Sequence, residues 1–274
     1  MNKKEETSIF LIDLSGVYDE QHFWRGEQPT WIRLKDLPGT NCYCDEQAAR
    51  EIREKIRDCA LAGIHFIDSG NYHYMTRIWM DKAQKPFSLL VFDNHTDMQL
   101  PVFGGLLSCG GWIADALESV EMLDHVFLVG PDQQAFDQVG QEYKERVTFL
   151  SREQLQEARE KDGAAGVTDL FLKMLLDYNQ KKGSFSPLYL SIDKDVLNEK
   201  VVKTTWSQGD MSLLELEGCL ERLQAFLQKR KLSLQAADVC GEREPGEGNE
   251  SAMTGHDYAN QALLGTLKGF DYEK

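Results

Sequence analysis

The segment PFSLLVFDNHTDMQLP, Pro86 to Pro101, changes character halfway. Phe87 to Phe92 form an apolar run of the kind found in strands covered on both faces. Asp93, His95 and Asp97 then follow at every second position. A turn needs polar residues, but it does not need two carboxylates and an imidazole at this spacing. In extended backbone, residues two apart point to the same side, roughly 6.5 to 7 Å apart. Asp93, His95 and Asp97 can therefore face one pocket while Asn94 and Thr96 point away. A hundred residues later PLYLSIDKDVL, Pro187 to Leu197, repeats the plan, with an apolar run ending in Asp193 and Asp195.

Other strand-like runs are SIFLIDL (Ser8–Leu14), IHFID (Ile64–Asp68), HVFLVG (His125–Gly130) and LSLQAADV (Leu232–Val239). Amphipathic segments lie between them. Asp45 to Gly63 opens on an N-cap aspartate and closes on glycine. Thr168 to Gly183 carries an acid near its start and lysines at its end. Ser212 and Glu215 stand at capping-box spacing before a helix reaching Arg230. This alternation predicts an α/β fold, three layers deep (α/β/α), around a mostly parallel central sheet. No repeat or Pro/Gly/Ser-rich linker divides residues 1–274, so one domain is expected.

In such sheets ligands bind beyond the carboxyl ends of the strands. IHFID runs into SGNYHYM, which places His73 there, and LQAADV runs into CGEREP, which offers Glu242. Four strands thus deliver His73, the Asp93/His95/Asp97 set, Asp193 with Asp195, and Glu242 to one edge. A lone aspartate at a strand end is ordinarily a cap or turn residue. Four carboxylates in one pocket instead require cations to offset their repulsion. Mixed carboxylate and imidazole donors suit two Mn2+ ions, with Zn2+, Ni2+, Co2+ or Fe2+ as alternatives. Two such ions lower the pKa of a shared water and supply a nucleophile near neutral pH.

Composition narrows the partners. A formal charge of −15 and a pI near 4.9 argue against nucleic acid or an anionic membrane surface. No apolar run approaches the roughly 18 to 20 residues that span a bilayer. The N-terminus does not read as a signal peptide, so a cytoplasmic location is expected. The six cysteines, Cys42, Cys44, Cys59, Cys109, Cys219 and Cys240, read as reduced thiols. The isolated Cys42-x-Cys44 pair is a weak zinc signal.

FDNHTD and LSIDKDVL together resemble the two aspartate-rich signatures of the ureohydrolase, or arginase/agmatinase, family. The resemblance runs from His73 to about Pro245. SGNYHY resembles that family's first signature, with Tyr72 where an Asp or Asn is usual. It implies that Asp93 and Asp193 bridge two metals, with His73 and Asp97 completing one shell and His95 and Asp195 the other. It further implies hydrolysis of a guanidino or amidino group by a metal-bridging hydroxide, releasing urea or an analogue. Trimers or hexamers would be expected.

Departures from the pattern bear on the substrate. Cys109, in PVFGGLLSCGGWIADAL, matches a position where arginases carry a proton-shuttling histidine. Gly104, Gly105 and Leu106 replace residues that hold an amino-acid head group, while Gln99 remains polar. Arginine is therefore not the expected substrate. DVCGEREP has one residue more than the family pattern. It leaves Glu242 as the acid for a planar cation, with Glu244 as fallback. Catalytic roles fall on Asp97, Cys109 and Glu242, and substrate contact on Glu242, Gln99 and Trp206. Tyr18, Glu20, His22, Trp24 and Gly209 lie on the same edge as further wall or packing residues. Two other readings stand beside this one: a one-zinc deacetylase-type amide hydrolase, and a family member that binds metal or ligand without turnover.

Overall fold

The computed structural model describes residues 7–100, 105–245 and 250–273, with backbone only for 250–253. The first half contains β1 (Ile9–Asp13), β2 (Thr30–Arg33), β3 (Tyr43–Cys44), α1 (Glu46–Ile56), β4 (Ile64–Ile67), α2 (Met75–Met80), β5 (Phe87–Phe92), β6 (Leu107–Ser108), α3 (Trp112–Ser119) and β7 (Leu123–Val129). There follow α4 (Gln133–Asp137), α5 (Gln141–Lys144), β8 (Val147–Leu150), α6 (Arg152–Lys182), β9 (Leu188–Asp193), α7 (Leu213–Arg230), β10 (Leu234–Cys240) and α8 (Glu250–Leu267).

Eight strands form one sheet in the order β2-β1-β4-β10-β9-β5-β7-β8, and every adjacent pair is parallel. β3 and β6 make a separate antiparallel ribbon. The four strands whose ends carry functional groups, β4, β10, β9 and β5, are neighbours at the centre. The chain passes from β4 to β5 over two places that β9 and β10 fill later. That reversal of strand order opens a crevice at the carboxyl edge.

Strand alternation sends side chains to two cores. On β5, Leu90 and Phe92 join a cluster with Phe171, Leu216 and Leu220, while Leu89 and Val91 face Trp79, Ile113 and Ile52. Each fully buried side chain of this kind stabilises the fold by about 1.5–3 kcal/mol. The interior can therefore carry costly polar strand ends.

Several local expectations hold. The Asp45 side chain accepts from Ala48 N at 2.8 Å and starts α1. Ser212 and Glu215 form the capping box of α7. Gly183 ends α6 in the left-handed region, at φ 76°. Others shift. α1 ends at Ile56, and Gly63 instead sits against β1, where a Cβ would lie 2.6 Å from Ser8 O. α6 starts at a Ser151–Gln154 capping box, well before Thr168, and bends at Asp162–Gly163. The glycines near the bend disguise the first half of that helix. β2 and β8 are short, partly exposed edge strands without a continuous apolar run. Among the described residues no helix is long and apolar enough to cross a membrane.

Candidate metal centre

His73 follows a 3-10 turn, Gly70–Tyr72, beyond β4. Asp93 directly succeeds β5, and Asp193 is the last residue of β9. The residues after these two aspartates are not extended. Asp93 Oδ1 accepts from His95 N at 2.6 Å, and Asp193 Oδ1 accepts from Asp195 N at 2.9 Å. Asp97 adopts φ 48°, a left-handed conformation uncommon outside glycine. The groups do converge, but through carboxylate-closed turns rather than the continued strand that the alternate spacing suggested.

Two donor sets result. His73 Nδ1 lies 3.3 Å from Asp93 Oδ2, 3.1 Å from Asp97 Oδ2 and 3.4 Å from Asp193 Oδ2. His95 Nδ1 lies 2.8 Å from Asp195 Oδ2 and 3.5 Å from Asp93 Oδ1. His73, Asp93 and Asp193 offer ligand atoms within 4.8 Å of one another, as do Asp93, His95 and Asp195. Asp93 belongs to both sets.

Each imidazole is oriented from behind. His73 Nε2 is 2.9 Å from Ser191 Oγ, and His95 Nε2 is 2.8 Å from Ser207 Oγ. Trp112 Nε1 donates to Asp97 Oδ2 at 2.6 Å. Such outer contacts fix ring orientation and tune ligand basicity.

The buried carboxylates and imidazoles act strongly on one another. Burial, then the negative charge of Asp93, pushes Asp97 up to about 6. Burial, then Asp193 and Asp93, drives Asp195 well above the usual carboxylate range, and burial with Asp93 raises Asp193. Burial also opposes charge on Asp93, but His73 and His95 outweigh it and hold Asp93 below that range. Burial lowers His95, yet Asp195 and Asp93 overcome it and take it up to about 12. Asp93 Oδ2, fully buried, has no hydrogen-bond partner. A buried, orphaned carboxylate oxygen is costly. Two adjacent O/N donor sets with one shared carboxylate fit a pair of divalent cations.

Gly241 holds this edge open. It has φ 86°, and a Cβ there would lie 2.3 Å from Asp193 Oδ1. Gly241→Ala is expected to displace the Asp193 carboxylate and weaken metal retention at least about tenfold, judged against the 10- to 100-fold effects of supporting residues. Equilibrium dialysis with Mn2+ checks this, and wild-type retention would contradict it.

The set opens into a cavity of about 230 Å³, lined further by Cys42, Tyr43, Gly70, Gln99, Ser108, Cys109, Gly110 and Trp206. The structure thus brings Gln99, Cys109 and Trp206 to the six His and Asp residues. Trp206 Nε1 donates to Asn71 Oδ1 at 2.9 Å, and its ring meets His95 edge to face at 6.1 Å. Burial and the charge of Asp97 raise the Cys109 thiol strongly, which keeps it protonated.

Glu242 stands elsewhere. It is fully buried and does not line the cavity, because its carboxylate is taken up by side chains from three other segments. Lys194 Nζ pairs with Oε1, Asn260 Nδ2 donates to Oε1 at 2.7 Å, Gln21 Nε2 donates to Oε2 at 2.7 Å, and His256 Nδ1 is 3.0 Å from Oε2. Burial alone would raise Glu242, but Lys194 and His256 hold it well below the usual range. The fallback, Glu244, accepts from Asn71 Nδ2 at 2.7 Å and also stays outside the cavity lining.

Tyr18, Glu20, His22, Trp24 and Gly209 do not line the cavity either. Tyr18 is buried in the core, Trp24 Nε1 donates to Tyr18 O, and His22 pairs with Asp257 at 3.2 Å. Gly209 N donates to Asp195 O at 2.7 Å. Gly105 and Leu106 line a different depression, with Arg50, Arg53 and Arg77, and Gly104 lies outside the described residues.

Sequence reasoning passed over Ser191, Ser207, Asn71, Lys194, His256 and Asn260. One signal was present. A lysine between two buried acids, as in Asp193-Lys194-Asp195, needs a buried counter-charge, and Glu242 supplies it.

The family model of the arginase family matches residues 14–262. An uncharacterised protein of Thermotoga maritima is 31% identical over 239 residues, 87% of this chain and 81% of that protein. Among solved structures, the proclavaminate amidino hydrolase of Streptomyces clavuligerus is similar with TM-score 0.64 at 14% identity, covering 96% of this chain and 91% of that one. The formimidoylglutamase of Bacillus subtilis also gives 0.64 at 14% identity, covering 96% and 86%. The family model spans most of the chain, the Thermotoga protein is similar over 87% of it, and the chain belongs to the arginase family.

Proposed function

We propose that this protein is a binuclear metal-dependent hydrolase that cleaves a C–N bond of a small guanidino or amidino compound other than arginine. The observation that carries the reading is the pair of donor sets sharing Asp93 beneath the cavity. His73, Asp93, Asp97 and Asp193 would hold one ion, and Asp93, His95, Asp193 and Asp195 the other, with Mn2+ the first choice. Bound there, two divalent ions supply charge neutralisation and a water acidified toward neutral pH.

The protein's own groups do the rest. Trp206, fixed by Asn71, offers a flat wall for a planar amidine carbon. Gln99 and the Ser108 hydroxyl supply uncharged hydrogen-bonding groups. The Asp97 carboxylate faces the cavity beside His73, where it would take up a proton, and the Cys109 thiol, held protonated, lines the same wall as a hydrogen-bonding group. Beyond the six donor residues, no charged side chain lines the cavity among the described residues. Arginine's ammonium and carboxylate therefore find no counter-charge there, and Glu242 is already paired. The family resemblance supports a trimer or hexamer, and six free thiols suit the cytoplasm.

Withdrawal of Glu242 favours one second reading, a family member that binds metal or ligand without turnover. Urea, ammonia and formamide release is to be measured across guanidino, formimidoyl and ureido compounds with Mn2+-loaded protein. Release from an amidine-type compound, abolished by His95→Ala, is the expected result. Two bound ions with no release from any compound would support the binding-only reading, and a single bound zinc would support the deacetylase type.

A further inference from the structure

We propose that Cys42 and Cys109 form a redox-active dithiol in the cavity wall, a covalent modification site that closes to an intramolecular disulfide on contact with a low-molecular-weight disulfide. Of the six cysteines, these two line the cavity that holds the donor sets. They flank the two strands of the small ribbon, Cys42 just before β3 and Cys109 just after β6. Tyr43 pairs with Ser108 and Cys44 with Leu107, so the antiparallel register places Cys42 opposite Cys109. Cys109 N donates to Cys42 O at 2.9 Å, which continues that register. Residues paired this way have Cα atoms about 5.5 Å apart, inside the range of roughly 4.4–6.8 Å that a disulfide spans.

The two side chains stand close enough to influence each other's ionisation. Cys42 is held in the left-handed region at φ 59°, so its direction is set by the turn rather than by strand alternation. Cys44, two residues on, is buried and approaches Asp45 O at 3.7 Å instead. All six cysteines are free, so the pair is available in its reduced form. Disulfides in reducing compartments are mostly transient, and a partly exposed, cavity-lining pair belongs to that labile class.

The chemistry balances. The Cys42 thiol, the less buried of the two, loses its proton and attacks a sulfur of glutathione disulfide, forming a mixed disulfide and releasing one glutathione thiolate. The Cys109 thiol then attacks Cys42 Sγ of that mixed disulfide, its proton passing to the departing glutathione thiolate. Two S–H bonds become one S–S bond, and the reagent leaves as two thiols that take up both protons. The closed form has no thiol at Cys109, so any proton transfer there ends until a reductant reopens the bond.

The test uses the full-length, Mn2+-loaded protein, exposed to glutathione disulfide and then quenched under denaturing conditions with N-ethylmaleimide. Intact mass should show two fewer maleimide adducts per chain. Fragmentation should place the bridge between residues 42 and 109, and dithiothreitol should restore both labels. Cys109→Ser should stop at a glutathione adduct on Cys42. Unchanged labelling, a bridge to any other cysteine, or loss of two labels in Cys109→Ser would overturn the proposal. Labelling decides the matter whether or not turnover is found.

Discussion

Asp93→Asn is expected to remove both metal ions at once, whereas a ligand confined to one set would remove one. Asp93 is common to the two donor sets that the geometry defines, with Asp193 the second carboxylate proposed for both ions, and Asp93 Oδ2 is buried without a hydrogen-bond partner. The asparagine keeps the shape, and its carbonyl can still accept from His95 N, so the turn should survive. What is lost is the negative charge and the second anionic donor. Supporting residues alone change metal affinity by about 10- to 100-fold, so loss of a shared ligand should exceed roughly 100-fold for each ion. Metal analysis after gel filtration, with circular dichroism as the control for folding, checks this. Asp195→Asn provides the contrast, because Asp195 belongs only to the His95 set. Equal loss in both variants would contradict a shared role for Asp93.

The second large effect concerns stability. Lys194 and Glu242 are both fully buried and paired, with Asn260, His256 and Gln21 completing the network. Removing one partner of such a pair leaves a buried charge uncompensated and costs about 3–5 kcal/mol. Glu242→Ala should therefore lower the Tm by about 10 °C. Lys194→Met combined with Glu242→Gln should recover much of that loss, since replacing both charges removes the imbalance. Thermal unfolding of the three proteins checks it. A substrate-facing Glu242 predicts the reverse pattern: a raised KM with little change in Tm. The two accounts of this residue separate in one set of melts.

Much of the architecture was legible because fully buried parallel strands read as near-continuous apolar runs. Phe87–Phe92 and Leu188–Asp193 are such strands, and their polar ends could only be functional or capping. Edge strands Thr30–Arg33 and Val147–Leu150 lacked that mark, since they are partly exposed. The His and Asp side chains that converge were legible by type and spacing, although the turns that gather them were not. Glu242 was misplaced for a physical reason. Its position after β10 points to the cavity edge, but the direction of its side chain depends on Lys194, Gln21, His256 and Asn260, which lie far apart in sequence. The thiol pair depends likewise on the register of a two-residue ribbon, which periodicity does not reveal.

The central claim is a two-metal centre built on Asp93. Its most direct test is isothermal titration of metal-free wild-type protein with Mn2+, with metal per chain determined afterwards by plasma mass spectrometry. The account predicts close to two ions per chain in the wild type and fewer than one in Asp93→Asn. A wild-type stoichiometry of one or zero would contradict it.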